Sequence, residues 1–333
     1  MKQFFLLVLL SVLLLESCTN SYKKQLDIPV KGLVPESINI KRYGKTLFEL
    51  DTSHLQQELT VIQPSYMHFL AGDLNDTTNI NQIYNFVTDT QLITYYHRSM
   101  EVYPDLSILE GNLTTAFRRF HYHFPQHILP EIYSYISGIR FETPVLTDEH
   151  VVVIGIDCYL GSTENIYKQM GIPMYFTNRM TSEHIVNDVF KSIYYTQISP
   201  NNKSITILDE MIKAGKLYYY LEAMQPNLTD HILIGYTETQ IDWLKKHEGE
   251  VWAFLISEEV LYASEFQMFK KLFADGPFTA DFSPDAPARI GEWVGWQIIR
   301  HYMTENPQMS LPELIQLENA QDILSGSKYR PKK

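Results

Sequence analysis

The sequence predicts a mainly α-helical α+β fold with a small β-sheet. Most of the chain spaces its apolar residues three and four apart, between turn and cap residues, as helices with one buried face do. Against that background stands one continuous β-branched run, Val151-Val152-Val153-Ile154-Gly155-Ile156-Asp157-Cys158-Tyr159-Leu160. Only a strand covered on both faces drops the apolar/polar alternation, so this run is expected to be the buried strand of the sheet. Phe141 to Leu146, bounded by Asp148, is also strand-like and is placed to pair with it as a hairpin.

The remaining elements follow in order. Leu33 to Asp51 mixes Ile, Val and aromatic residues with charges and reads as a lead-in strand or coil. Leu55, Leu59 and Ile62 have helical spacing, and Pro64 stops that helix. Asp76-Thr77-Thr78-Asn79 reads as a turn before a helix over Ile80 to Val87, and Asp89 or Thr90 caps another that runs through Met100. Tyr103-Pro104-Asp105 opens the next helix, with Leu106, Leu109, Leu113, Phe117 and Phe120 along one side. Glu131 to Ile136 is a short helix or strand.

Beyond the central strand, Thr181 or Ser182 caps a helix through Tyr195 whose apolar face centres on Val189 and Ile193. Ile205 to Met224 is helical, and Gly215 in its interior signals a close backbone approach. Thr239 to Ile256 is amphipathic. Ala286 to Met303 carries Gly291 and Gly295 one turn apart and is expected to pack tightly on another helix. Ser310-Leu311-Pro312-Glu313 is a capping box that opens the last helix.

Composition bounds the function. The 333 residues, 45% hydrophobic and 20% charged, describe a globular protein with a large core. No composition break marks a boundary, so 32–333 reads as a single domain. Aromatic content of 13%, with 22 Tyr, is expected to fill that core; an aromatic-lined glycan or peptide platform is the sharper alternative. A net charge of −12 with dispersed acids argues against nucleic acid as a partner. The basic tail Lys328, Arg330, Lys332, Lys333 solvates the C-terminus.

The N-terminus reads as a signal peptide over 1–17. Lys2 precedes an apolar core from Phe4 to Leu15, too short to span a bilayer comfortably, and the core ends in Leu15-Glu16-Ser17-Cys18. A small residue before a Cys behind such a core resembles a bacterial lipobox, which makes Cys18 the expected lipidation site. Residues 18–31 would then be a polar tether lifting the domain off the membrane. With Cys18 carrying lipid, Cys158 has no partner for a disulfide and reads as buried filler.

The sharpest chemical question is a metal site. A zincin needs two His one turn apart on a helix, a Glu after the first as general base, and a third ligand from a later element. This chain offers His184-Ile185-Val186-Asn187-Asp188, with Ile185 in the base position and Asp188 in place of the second His. The helical projection puts His184 and Asp188 opposite the apolar face, as a solvated i,i+4 pair. A metal-dependent peptidase would use His184 and Asp188 with a third ligand such as Glu210 or Glu222. His121, His123 and His127 invite a metal reading too, but an H-x-H spacing points its two rings to opposite sides of a helix. No G-x-S-x-G or phosphate-binding glycine loop occurs.

Several stretches together resemble the gliding-motility lipoprotein GldB family. They are the signal with Cys18, Tyr103-Pro104-Asp105 through Phe124-Pro125, the strand Val152 to Leu160, and Arg179-Met180-Thr181 with its helix. Later ones are Ile234-Gly235-Tyr236-Thr237, Gly276-Pro277-Phe278, Arg289-Ile290-Gly291-Glu292-Trp293-Val294-Gly295-Trp296-Gln297-Ile298, and Ser327-Lys328-Tyr329. The resemblance covers nearly the whole mature chain. It implies a lipid-anchored envelope protein, at the outer membrane, that serves surface gliding and its secretion machinery through protein partners. It also implies a distant likeness to predicted zinc-dependent proteases. Their Glu-Gly stands here as Ala214-Gly215, so the implied scaffold is zincin-like with a degenerate metal site. The expectation is a non-enzymatic protein with no cofactor, bound to the membrane through Cys18.

Overall fold

A computed structural model describes residues 21–200, 202–279 and 282–331. The signal segment and Cys18 lie outside the described residues. The fold is mainly helical with one four-stranded sheet, in line with the α+β expectation. It forms two compact units, Gly32–Ile198 on the one hand and Ser199–Lys333 together with the residues up to Lys31 on the other. No shift in composition marks that division in the sequence, which is why 32–333 reads there as one domain.

The first unit is built round its sheet, β1 (Ile40–Lys41), β2 (Glu131–Tyr135), β3 (Val145–Thr147) and β4 (Val151–Gly155), in the order β1-β2-β4-β3. The first, second and fourth strands run parallel, and β3 pairs antiparallel to β4 with Val145 opposite Ile154. The expected hairpin is therefore present. Flanked by a strand on each side, with Val152 and Ile154 buried, β4 accounts for the unbroken apolar run. It ends five residues earlier than expected, because Ile156–Cys158 turn as a 3₁₀ helix. Gly155, just before that turn, lets the Ser137 loop pack against the strand end, since a Cβ there would lie 2.9 Å from the Ser137 side chain.

Helices Leu55–Ile62, Thr77–Thr88, Thr90–Val102 and Ser107–His123 stand close to where periodicity puts them. Asp76 begins no free turn: it accepts the Thr78 N–H and caps the helix that starts at Thr77. The lead-in segment differs more, because Tyr43–Phe48 is a helix. Gly44 lets that helix press onto β2, where a Cβ would stand 2.9 Å from Tyr135 Cα.

In the second unit, helices Ile207–Met224 and Ile290–Glu305 meet backbone to backbone. A Cβ on Gly295 would lie 1.8 Å from the Met211 carbonyl oxygen, and one on Gly215 2.2 Å from the Gly295 oxygen. On Gly291 it would strike the Phe273 ring at 2.7 Å. The close packing expected from these glycines is what the structure contains. Three capping boxes start helices at Thr206, Thr237 and Ser310, each with both reciprocal hydrogen bonds. The Ser310 helix is short (Leu311–Gln316), and a further helix, Ala320–Ser327, follows it.

The tether expectation needs correction over its described part. Ser21–Leu26 is a helix that belongs to this second unit, with Leu26 and Ile28 buried. Among the described residues, no helix is long and apolar enough to cross a membrane.

Candidate functional site

Three polar clusters have the residue types from which chemistry is made. The first holds His184 and Asp188. His184 closes a 3₁₀ turn, Ser182–His184, and the α-helix proper begins at Ile185. A 3₁₀ turn advances about 120° per residue, not about 100°, so projecting a single α-helix back to His184 misplaces its ring. The solvated His–Asp pair expected from that projection is not what forms. His184 is only 5% exposed, and its Nδ1 stands 2.8 Å from the Thr181 hydroxyl. Asn187, next to Asp188 on the helix, is buried as well. Asp188 accepts a hydrogen bond from the Tyr159 hydroxyl at 2.8 Å. Burial pushes the Asp188 pKa up, against the opposing pull of Lys191 and of that hydroxyl. Glu210, the third ligand of the peptidase alternative, lies in the other unit, on the helix Ile207–Met224. Among the described residues, no three His, Cys, Asp or Glu side chains come together in a way that would hold a metal ion. His184, Asp188 and Glu210 therefore make no such group, nor do the three histidines near Pro125. Burial, aided by Arg119, pushes His123 down to about 4, and His127 packs edge-on against the rings of Phe120 and Phe124.

The second cluster lies at the carboxyl ends of β2 and β4, where open α/β sheets commonly place ligands. Asp157 is fully buried. Its Oδ1 accepts from the Ser137 amide at 2.9 Å and the Ser137 hydroxyl at 2.8 Å, and its Oδ2 accepts from the Ile139 amide at 2.8 Å. Ile139 has φ +59°, an outlying conformation for a β-branched residue, and its N–H is aimed at the carboxylate in that conformation. The Cys158 thiol lies 3.4 Å from the Ser137 hydroxyl. Burial, reinforced by the Asp157 charge, pushes that thiol well above its ordinary pKa, so it is held as a thiol and not as a nucleophilic thiolate. Serine, aspartate and cysteine thus meet without a histidine or lysine base among the contacts of Ser137. The geometry is a clamp on the loop after β2. Sequence reasoning read Cys158 correctly as filler but missed the clamp. Its signal was Asp157 itself, a carboxylate inside an apolar run, which must find donors when buried.

The third cluster, in the second unit, was not foreseen, and Glu222, the other third ligand of the peptidase alternative, is taken up in it. Arg300, 6% exposed, grips two carboxylates at once. Its Nε and Nη2 donate to Glu222 at 3.0 and 2.9 Å, and its Nη1 and Nη2 donate to Asp230 at 3.0 and 2.7 Å. The guanidinium also lies 3.8 Å from the centre of the Trp296 ring, whose Nε1 donates to Glu222 at 3.2 Å. Burial raises the Glu222 pKa against the pull of Arg300. For Asp230, burial also pushes upward, but the Arg300 hydrogen bonds and charge outweigh it and the pKa is lowered. A second buried arginine, Arg289, pairs with Glu292 at 2.8 Å and Asp275 at 3.0 Å. The signal missed was Glu222, a charge within the apolar run Leu217 to Met224.

Many of the aromatic residues settle into packing roles, though Tyr84, Tyr122, Tyr195, Tyr262 and Phe266 stay exposed. Tyr133, Tyr159, Tyr167, Tyr194, Tyr219, Tyr220 and Trp296 are among the largest fully buried side chains. A cavity of about 270 Å³ in the first unit is lined by Tyr43, Leu47, Ile83, Phe86 and Tyr135 with Gly44, and is almost wholly apolar.

Fold and clusters together define a class: a mainly helical α+β protein whose buried acids are tied into its own framework. The chain belongs to a known family, described as gliding motility protein GldB, whose model matches residues 23–331. It is thus a gliding-motility protein by family. No curated protein and no solved structure matches it.

Proposed function

We propose that this protein is a non-enzymatic, lipid-anchored component of the cell envelope, held at the outer membrane by lipid on Cys18, that serves the gliding apparatus and its secretion machinery by binding protein partners. Family membership supports the link to gliding. The observation that carries the non-enzymatic reading is the commitment of the acids a reaction would need. Asp188 is bonded to Tyr159, Asp157 to the Ser137–Ile139 loop, and Glu222 to Arg300 and Trp296. In sequence, His184 and Asp188 keep the four-residue spacing of a zincin motif without its base, since Ile185 follows His184. On this reading the scaffold is zincin-like in outline, and its metal chemistry has been replaced by packing.

The test compares two substitutions in a gliding strain. Asp188→Asn keeps an oxygen for the Tyr159 hydroxyl but removes the anionic ligand a metal would need. Cys18→Ala removes the anchor. Colony spreading should survive the first and fail in the second, with the Cys18→Ala protein leaving the membrane fraction. Loss of spreading in Asp188→Asn at normal protein level would restore the peptidase.

A further inference from the structure

The described part of the expected tether is bound, not free. Helix Ser21–Leu26 is fixed to the second unit by several independent contacts. The Gln25 side-chain amide donates to the Met303 carbonyl at 2.7 Å, and its oxygen accepts from Tyr219 at 3.4 Å. The Tyr22 ring lies 5.3 Å from the Arg300 guanidinium and 6.4 Å from the Tyr219 ring. Burial raises the Tyr22 hydroxyl well above its ordinary pKa, and the Glu222 charge adds to that shift. Leu26 is 3% exposed. The helix thus caps the Glu222–Arg300–Asp230 cluster. Lys23 and Lys24 remain exposed on it, and both Lys23 and the exposed Lys245 sit near enough to Asp230 to lower its pKa.

From Cys18 to Ser21 is three residues, a reach of at most about 11 Å even fully extended. We infer that the second unit lies flush on the membrane, with the surface round Lys23, Lys24 and Lys245 against the phosphate headgroups, because the docked helix uses up the slack a tether would give. This inference rests on the lipid-anchor reading of Cys18. Its chemistry is that of a lipid surface: the Lys23, Lys24 and Lys245 ammonium groups beside a short anchor face anionic headgroups, outnumbering the exposed Asp27 and Asp242 next to them in the chain, while Asp230 and Glu222 are occupied by Arg300. The gliding partners would then meet the protein on its other surfaces.

The experiment uses the full lipidated chain in vesicles of phosphatidylethanolamine and phosphatidylglycerol that carry a headgroup quencher. A fluorophore is placed by Lys245→Cys; Cys158 is buried, and Cys18 is blocked by its lipid. Membrane binding is scored first, by flotation. The label should lose most of its emission in the otherwise unaltered chain. It should regain that emission when a flexible Gly/Ser spacer is inserted between Asn20 and Ser21, or when Leu26→Asp releases the helix. The spacer leaves every packing contact in place, so it remains decisive if Leu26→Asp folds poorly. A floating protein whose label stays bright overturns the flush placement and leaves the anchor intact. Equal quenching with and without the spacer also overturns it, since the docked helix would not be the cause. A chain that does not float overturns the anchor reading and this inference with it.

Discussion

Two buried carboxylates, Asp157 in the first unit and Glu222 in the second, solve the same problem by opposite means. Asp157 is held by neutral donors, two backbone amides and a hydroxyl, all from the loop Ser137–Ile139. Glu222 is held by the Arg300 guanidinium and the Trp296 indole, with Asp230 sharing the same arginine. Burial raises the pKa of both. The difference lies in what each ties down. The amides fix one loop just past β2, whereas the guanidinium fastens helix Ile207–Met224, helix Ile290–Glu305 and the short helix Asp230–Ile234 to one another. A dipole-held acid shapes local backbone; a charge-held acid joins distant segments.

The largest expected effect comes from breaking the second arrangement. Arg300→Met should destabilise the protein by about 3 kcal/mol, because it leaves Glu222 buried without its cation and beside the half-buried Asp230. Urea unfolding measures this, and adding Glu222→Leu and Asp230→Leu should recover most of the loss. A single variant as stable as the parent would mean that the cluster is not sealed from water.

The cluster also depends on two helices in backbone contact. Gly295→Ala should cost about 3 kcal/mol, since a methyl group cannot stand 1.8 Å from the Met211 oxygen without parting them. A melting temperature unchanged by this substitution would contradict the packing.

Breaking the first arrangement should cost less. Asp157→Asn keeps one acceptor and turns an NH₂ toward the Ile139 or Ser137 amide, for a loss of about 1–3 kcal/mol. Hydrogen exchange should quicken at those two amides in particular. The substitution should also alter the acid dependence. An acid whose folded pKa is raised contributes stability that is complete below its unfolded value, about 3.9 for Asp, and is lost as pH rises through the folded value. That decline should shrink in Asp157→Asn. Asp230, with its pKa lowered, acts in the opposite sense and loses its contribution as the solution is acidified through its folded value.

The smallest effect concerns Lys216. Burial pushes it down to about 8, although its ammonium donates to the Ile315 and Leu317 carbonyls. The unfolded chain then binds more protons above that pH, so stability should climb between about pH 8 and roughly 10.4. In Lys216→Met the climb should be absent from thermal melts taken across that range.

What the sequence disclosed follows from the same contrast. Elements set by local chemistry were legible: the capping box at Ser310, the covered strand β4, and the helix contacts announced by Gly215, Gly291 and Gly295. Features set by distant partners were not. His184 looked solvated because its covering arises from a 3₁₀ turn that breaks the helical projection. Glu222 and Arg300, far apart in the chain, have nothing local to link them, and a polar residue on a helix reads by default as surface. The Ser21–Leu26 segment looked like a tether because it is short and polar; its docking rests on Tyr22 and Gln25 meeting Tyr219, Arg300 and the Met303 carbonyl, far along the chain, and on the burial of Leu26.

On the proposed reading, His184 and Asp188 serve the fold and not a metal. Elemental analysis of the natively purified mature protein tests it most directly. The account predicts zinc far below one ion per chain, unchanged by Asp188→Asn. Near-stoichiometric zinc that is lost in Asp188→Asn would contradict it.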